Sequence, residues 1–173
     1  MVVLDKPFLA LTARDVMNRE VAIVPRDMGM QAAARSLNQL HVSGAPVVDE
    51  RGQCVGVLSS NDFVSCCTAN RSRCAKHRAE SNCGLCTSPD CVGCDWQMVD
   101  VADSVEGLVR DFMTPDPVTV RPEATMRELA QMIVDAHVHR LIVVDDYFRP
   151  IGIVSTTDIV AAVARAEQVG SFT

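Results

Sequence analysis

The sequence predicts an α/β (α+β) fold in which two β-α-β-β-α repeats pack pseudo-symmetrically, with a cysteine-rich insert between them. Three observations carry this prediction. Residue i can be laid over residue i+96 with no gap across some fifty positions, a register that chance does not hold. Within each copy, short β-prone runs alternate with stretches of helical periodicity. Six of the eight cysteines fall between the copies and a seventh, Cys66, ends the first, so the repeats bracket a segment of different composition. The repeats span 10–66 and 107–168, and the insert 67–106.

The elements follow in chain order. Arg14, Asp15 and Met17 open the first copy and fall on Arg110, Asp111 and Met113 of the second. Ala22-Ile23-Val24 and Val118-Thr119-Val120 are β-prone runs closed by Pro25 and by Arg121-Pro122. Met30, Ala33, Ala34, Leu37 and Leu40 then recur at helical spacing, as do Met126, Leu129, Ala130 and Ile133, and these stripes are expected to face the core. His41 and His137 close these helices, where a cation suits the helix dipole. Two apolar runs follow in each copy, Ala45 to Val48 with Cys54 to Leu58, and Leu141 to Val144 with Ile151 to Val154. The polar turns at 49–52 and 145–148 make each pair a hairpin. Ser59-x-x-Asp62 and Ser155-x-x-Asp158 then stand where a second helix begins, the pattern of a capping box.

Composition excludes several classes. Hydrophobic residues at 48% and charged residues at 22% describe a globular chain that buries a core, not a disordered one. A net charge of −6 repels phosphate backbones, which disfavours nucleic acid as a partner. The sequence shows no apolar run long enough for a membrane span, and Asp5 and Lys6 interrupt any signal-peptide core, so a cytoplasmic protein is expected.

The R-D-x-M openings, H-V-S-G-A-P-V-V-D and H-V-H-R-L-I-V-V-D before the hairpins, and G-V-L-S-S-N-D and G-I-V-S-T-T-D after them resemble a tandem pair of CBS (cystathionine β-synthase type) domains, a Bateman module. The resemblance implies two clefts between the copies, adenosine-containing ligands (AMP, ADP, ATP or S-adenosylmethionine) and a flat homodimer. In its motifs the chain resembles the nucleotide-binding repeats of the γ subunit of AMP-activated protein kinase. That similarity implies that Asp158 holds ribose hydroxyls, that Ser155, His139 and Arg140 face phosphate, that the backbone of Ala22 reads adenine, and that Val42, Ser43 and Ile153 wall the cleft. A carboxylate suits a vicinal diol, and a helix N-terminus with an arginine suits phosphate. The twin cleft would use Ser59, Asp62 and Val118, but Ser43 and Gly44 stand where the basic pair would be.

In the insert, Cys83-x-x-Cys86-x4-Cys91-x-x-Cys94 has the spacing of a four-thiolate metal site, zinc first, with an iron–sulfur centre or disulfide chemistry as alternatives. Cys67, Cys74 and His77 share one face if the helix from Ser60 continues, and so offer further ligands. Arg71, Arg73, Lys76 and Arg78 read as a solvated helix end, and Trp96 as an anchor for the insert. No nucleophile–base arrangement is apparent, so a regulatory module acting on a protein partner is expected, not an enzyme. A metal or redox sensor built on a CBS dimer is the alternative. The helix from Ser155 to Val169, with Ile159, Val160, Val163 and Ala164, is the expected homodimer face.

Overall fold

The computed structural model describes residues 7–63 and 107–169. The expected elements are present in both copies. In the first, α1 (Ala13–Val16) precedes β1 (Val24–Pro25), α2 (Met30–Gln39), β2 (Gly44–Val48) and β3 (Cys54–Ser59), and a further helix begins at Ser60. In the second, α3 (Val109–Phe112) and β4 (Thr114–Pro115) precede β5 (Thr119–Val120), α4 (Met126–Asp135), β6 (Arg140–Val144), β7 (Pro150–Ser155) and α5 (Thr156–Val169).

Among the described residues the strands form two sheets, ordered β1-β2-β3-β4 and β5-β6-β7. In each, the first strand runs parallel to the second, as a helical crossover requires, and the hairpin after it is antiparallel. The hairpins are the same object twice, because Ala45↔Leu58 is repeated as Leu141↔Val154, and both carry an irregularity one residue before the turn. β2 and β6 are almost continuously apolar and buried, as expected of strands covered on both faces.

The opening segments are exchanged between the copies. Leu11 and Ala13, which begin the first copy, are buried with Met126, Leu129, Leu141 and Val143 of the second. Val109, Phe112 and Met113 of the second copy pack with Met30, Leu37, Val47 and Leu58 of the first. Backbone bonds repeat the exchange: Ala13 N–H donates to the Ala124 carbonyl at 2.8 Å, and Val109 N–H to that of Met28 at 2.9 Å. Ion pairs follow the same rule, with Arg14 to Glu123 at 3.1 Å and Arg110 to Asp27. Each opening methionine lies on a glycine of the other copy, so a Cβ built at Gly152 would come within 2.3 Å of the Met17 sulfur, and one at Gly56 within 2.7 Å of that of Met113.

The core stripes stand where periodicity puts them, with one correction. Met30, Ala33 and Leu37 are buried, as are Met126 and Leu129, but Leu40 is 55% exposed. The helix stops at Gln39, and Leu40 is the residue at which the chain turns away. His41 and His137 follow these ends with φ of 52°, the left-handed conformation usual for glycine. The N–H of His41 donates to Asn38 and that of Val42 to Leu37, a pattern repeated at His137 and Val138, so both helices close in the same two-bond motif. The histidines thus stand just beyond the helices instead of in their last turn.

Candidate functional site

The candidate site builds up from the start of α5. Ser155 ends β7 and caps the helix: its backbone N–H donates to Asp158 Oδ2 at 2.8 Å, its hydroxyl to the same oxygen at 2.5 Å, and the Asp158 N–H approaches Ser155 Oγ at 3.3 Å. The capping reading of S-x-x-D is therefore realised. It engages one carboxylate oxygen, and Asp158 Oδ1 has no protein partner among the described residues.

Arg140 stands directly across the hairpin from Ser155, in register with it at the open end of β6. Its guanidinium reaches into the first copy and donates to Ser43 Oγ at 2.9 Å. His139 is exposed beside it, its carbonyl accepting from the N–H and the hydroxyl of Thr156 at 3.0 and 3.2 Å. Ala22 and Val42 pack against the first core, while Ile153 pairs through both backbone groups with Asn18. The structure thus ties Ser43 of the first copy to Arg140 of the second, and Arg140 is in register with the Ser155–Asp158 cap.

The twin position shares the cap but differs around it. Ser59 donates to Asp62 Oδ2 through its N–H at 2.6 Å and its hydroxyl at 2.8 Å. The second oxygen, Oδ1, accepts from the hydroxyl of Thr114 at 3.1 Å, and Asp62 is only 9% exposed. Val118 packs against the second core. Gly44, at the register position of Arg140, faces Ser59, and a Cβ there would meet the Leu58 carbonyl oxygen at 2.8 Å. Thr114 and its register partner Asn18 were not among the residues picked out by the sequence. The side-chain oxygen of Asn18 accepts from the Glu20 N–H at 2.9 Å. The difference at these two positions, one residue after each methionine, was the available signal.

Other chemistry-bearing groups are quieter. Cys54 is half-buried, and burial pushes its thiol above the ordinary cysteine value, outweighing the opposing pull of a backbone hydrogen bond at Gly56. Glu128 lies below the ordinary glutamate range because the Thr125 backbone N–H and hydroxyl donate to it. Among the described residues no group of histidine, cysteine or acidic side chains could hold a metal ion. Cys67, Cys74, His77, Cys83, Cys86, Cys91 and Cys94 lie outside the described residues, as do the basic run and Trp96. Among the described residues no helix is long and apolar enough to cross a membrane.

Two copies of one β-α-β-β-α unit, each capped by Ser-x-x-Asp, agree with the match of the CBS domain family model to residues 13–68 and 109–165. The chain belongs to the CBS domain family. A relative from Methanocaldococcus jannaschii, the uncharacterized protein MJ1426, is 27% identical over 157 residues, which cover 86% of this chain and 89% of that one. Among solved structures, that of CBSX2 in complex with AMP superposes with a TM-score of 0.64 at 23% identity, covering 90% of this chain and 98% of that one. The protein of that name from Arabidopsis thaliana is described as a chloroplastic CBS domain-containing protein. The CBS domain pair of MJ0100, solved with 5-methylthioadenosine and S-adenosyl-L-methionine, has a TM-score of 0.63 at 19% identity, covering 88% and 99% of the two chains. These likenesses establish the fold as that of a CBS pair.

Proposed function

We propose that this CBS pair is a regulatory module, not an enzyme, that binds an adenosine-containing nucleotide in the cleft at Asp158. The observation that carries the reading is the division of labour at that carboxylate: Ser155 engages Oδ2 for the helix cap and leaves Oδ1 open. That oxygen suits the two hydroxyls of a ribose. Arg140, in register with Ser155, supplies the cation for phosphate, and His139 stands next to it. Ser155 lines the phosphate side, the Ala22 backbone reads adenine, and Val42, Ser43 and Ile153 form the walls. The AMP held by CBSX2 and the adenosine compounds held by MJ0100 support this ligand class.

Calorimetry with AMP, ADP, ATP and S-adenosylmethionine tests the proposal. A hydrogen bond to a charged group is worth roughly 1.5–3 kcal/mol, so Asp158→Ala and Arg140→Ala should each weaken the preferred ligand by about tenfold or more. Unchanged affinity in both would refute the site.

Homodimerisation through α5 belongs to the same reading. Val160 and Val163 are 60% and 42% exposed and Ala164 is exposed with them, while Ile159 turns inward to the second core and leaves that face. Light scattering that gives a monomer at tens of micromolar would remove the dimer. A second reading, a metal or redox sensor in the cytoplasm, rests on the spacing of Cys83, Cys86, Cys91 and Cys94. Elemental analysis of reduced protein that finds less than about a tenth of an equivalent of any transition metal would reject the metal.

A further inference from the structure

The tips of the two hairpins touch, and only one of them is aromatic. The turns are built alike: Asp49 Oδ1 accepts from the N–H groups of Arg51 and Gln53, and Asp145 Oδ1 from those of Tyr147 and Arg149, each at 2.9 Å. The left-handed position of the first turn holds Gly52, at φ 78°, whereas the second puts Phe148 there, at φ 59°. Glycine takes this conformation without strain, so the turn itself does not call for an aromatic ring. Burial does not offset the strain either, since Phe148 is 52% exposed, Tyr147 beside it is 68% exposed, and neither belongs to a core. The second tip is nevertheless held firmly. Cys54 N–H donates to the Phe148 carbonyl at 2.8 Å and the Gln53 side-chain amide to that of Tyr147 at 3.1 Å, so the first copy grips the backbone that carries both rings. The reverse bond is barred, because Pro150 stands at the position of Cys54 and has no N–H.

We propose that this aromatic tip is a docking surface for a protein partner that brings a carboxylate beside an apolar side chain. The proposal goes beyond the nucleotide reading and stands or falls without it. Each ring carries a guanidinium on one face, Arg121 at 5.3 Å from the centroid of Phe148 and Arg149 at 5.6 Å from that of Tyr147. Arg121 is engaged by the Asp145 carbonyl and by Asp146. The guanidinium of Arg149 has no hydrogen-bond or ion-pair partner among the described residues, and stacking on Tyr147 leaves its N–H edge open to a carboxylate. The acids of the second tip do not fill that place, because Asp145 holds the turn and Asp146 meets Arg121. Exposed aromatic rings with arginine are the side chains that anchor protein interfaces, and a backbone already held in place loses little freedom on docking. The surroundings select among partners. Asp49, Glu50, Asp145 and Asp146 ring the two tips and repel an extended polyanion such as RNA or an anionic lipid surface, whereas a single carboxylate can seat on Arg149.

The test pans a phage-displayed library of random peptides on the full chain, after depletion on its Phe148→Gly variant. The recovered peptides should pair an aspartate or glutamate with a nearby aromatic or aliphatic residue. A synthetic copy of the most enriched peptide should bind the wild type, and Phe148→Gly and Arg149→Ala should each weaken it by roughly tenfold. Glu50→Gln should strengthen it, since that carboxylate repels the acidic peptide. Phe148→Gly should leave Tm unchanged or raise it, because the glycine relieves the left-handed strain and no core is opened. No enrichment over the depleted library would overturn the proposal, as would basic peptides or an affinity that Arg149→Ala leaves unchanged. A lower Tm in Phe148→Gly would overturn it too, by making the ring a structural element. Phosphatidylserine vesicles and oligouridylate are tested alongside, and binding of either that the two tip variants lose would assign the tip to a membrane or to RNA instead.

Discussion

Truncating Leu11 tests the exchange of opening segments more sharply than any change in a strand. Leu11 is 1% exposed and packs in the core built by the second copy, although it lies more than a hundred residues before that copy's helix α4. Leu→Ala at such a position costs roughly 3–5 kcal/mol, from lost burial and the cavity left behind. A chain of this size loses about 2–4 °C of Tm per kcal/mol, so Leu11→Ala should lower Tm by about 6–20 °C. The decisive quantity is coupling. Combined with Leu129→Ala, which hollows the same core, the loss should depart from additivity by ~0.5–3 kcal/mol in urea titrations. Combined with Leu58→Ala, in the other core, it should add to within about 0.5 kcal/mol. Coupling to Leu58 and none to Leu129 would refute the exchange.

Further outcomes follow from single positions. His41→Gly and His137→Gly should each raise stability, by up to about 1 kcal/mol in urea titrations, because glycine takes the left-handed conformation without the Cβ clash that histidine bears. Glu128 sits below its ordinary value through the bonds from Thr125, so its contribution is present above the unfolded glutamate pKa and is lost as pH falls through the lower folded one. An acid titration of stability should therefore flatten in Glu128→Gln; an identical profile would show that the cap carries no charge dependence. Gly44→Ala should destabilise more than Gly29→Ala in thermal melts, since the first meets a carbonyl oxygen at 2.8 Å and the second nothing within 4 Å.

Much of the fold was legible in the sequence because the repeat fixes equivalence: once residue i matches i+96, a helix or hairpin recognised in one copy is recognised in both. Equivalence does not say which copy a segment packs on. The openings at α1 and α3 are four residues long, too short to show a helical stripe, and their burial depends on contacts with the other copy. Leu40 shows another limit, since its spacing continues the stripe of α2 but the helix ends one residue earlier. At the hairpin tips, Gly52 announces a left-handed turn at φ 78°, whereas Phe148, its register partner, adopts φ 59° with an aromatic side chain stacked under Arg121. An aromatic residue in a polar turn gives no local sign of that conformation.

The site divides along the same line. Ser155, Asp158, Ser59 and Asp62 were legible because a capping box is local, its two residues three apart and joined through the backbone. Capping alone cannot distinguish a ligand site from a helix start, since both copies need a cap and both use the same oxygen, Oδ2, to make it. The surroundings of the two caps differ through residues far away in sequence: Thr114 donates to Asp62 Oδ1 across 52 residues, while the side-chain oxygen of Asn18 accepts from the Glu20 N–H two residues on. The surroundings of each cap are thus set by the exchange that the repeat conceals. Because each copy sends its opening segment to the other, Thr114, the residue after the second opening methionine, sits beside the cap carboxylate of the first copy, while Asn18, its counterpart, pairs through its backbone with Ile153 of the second.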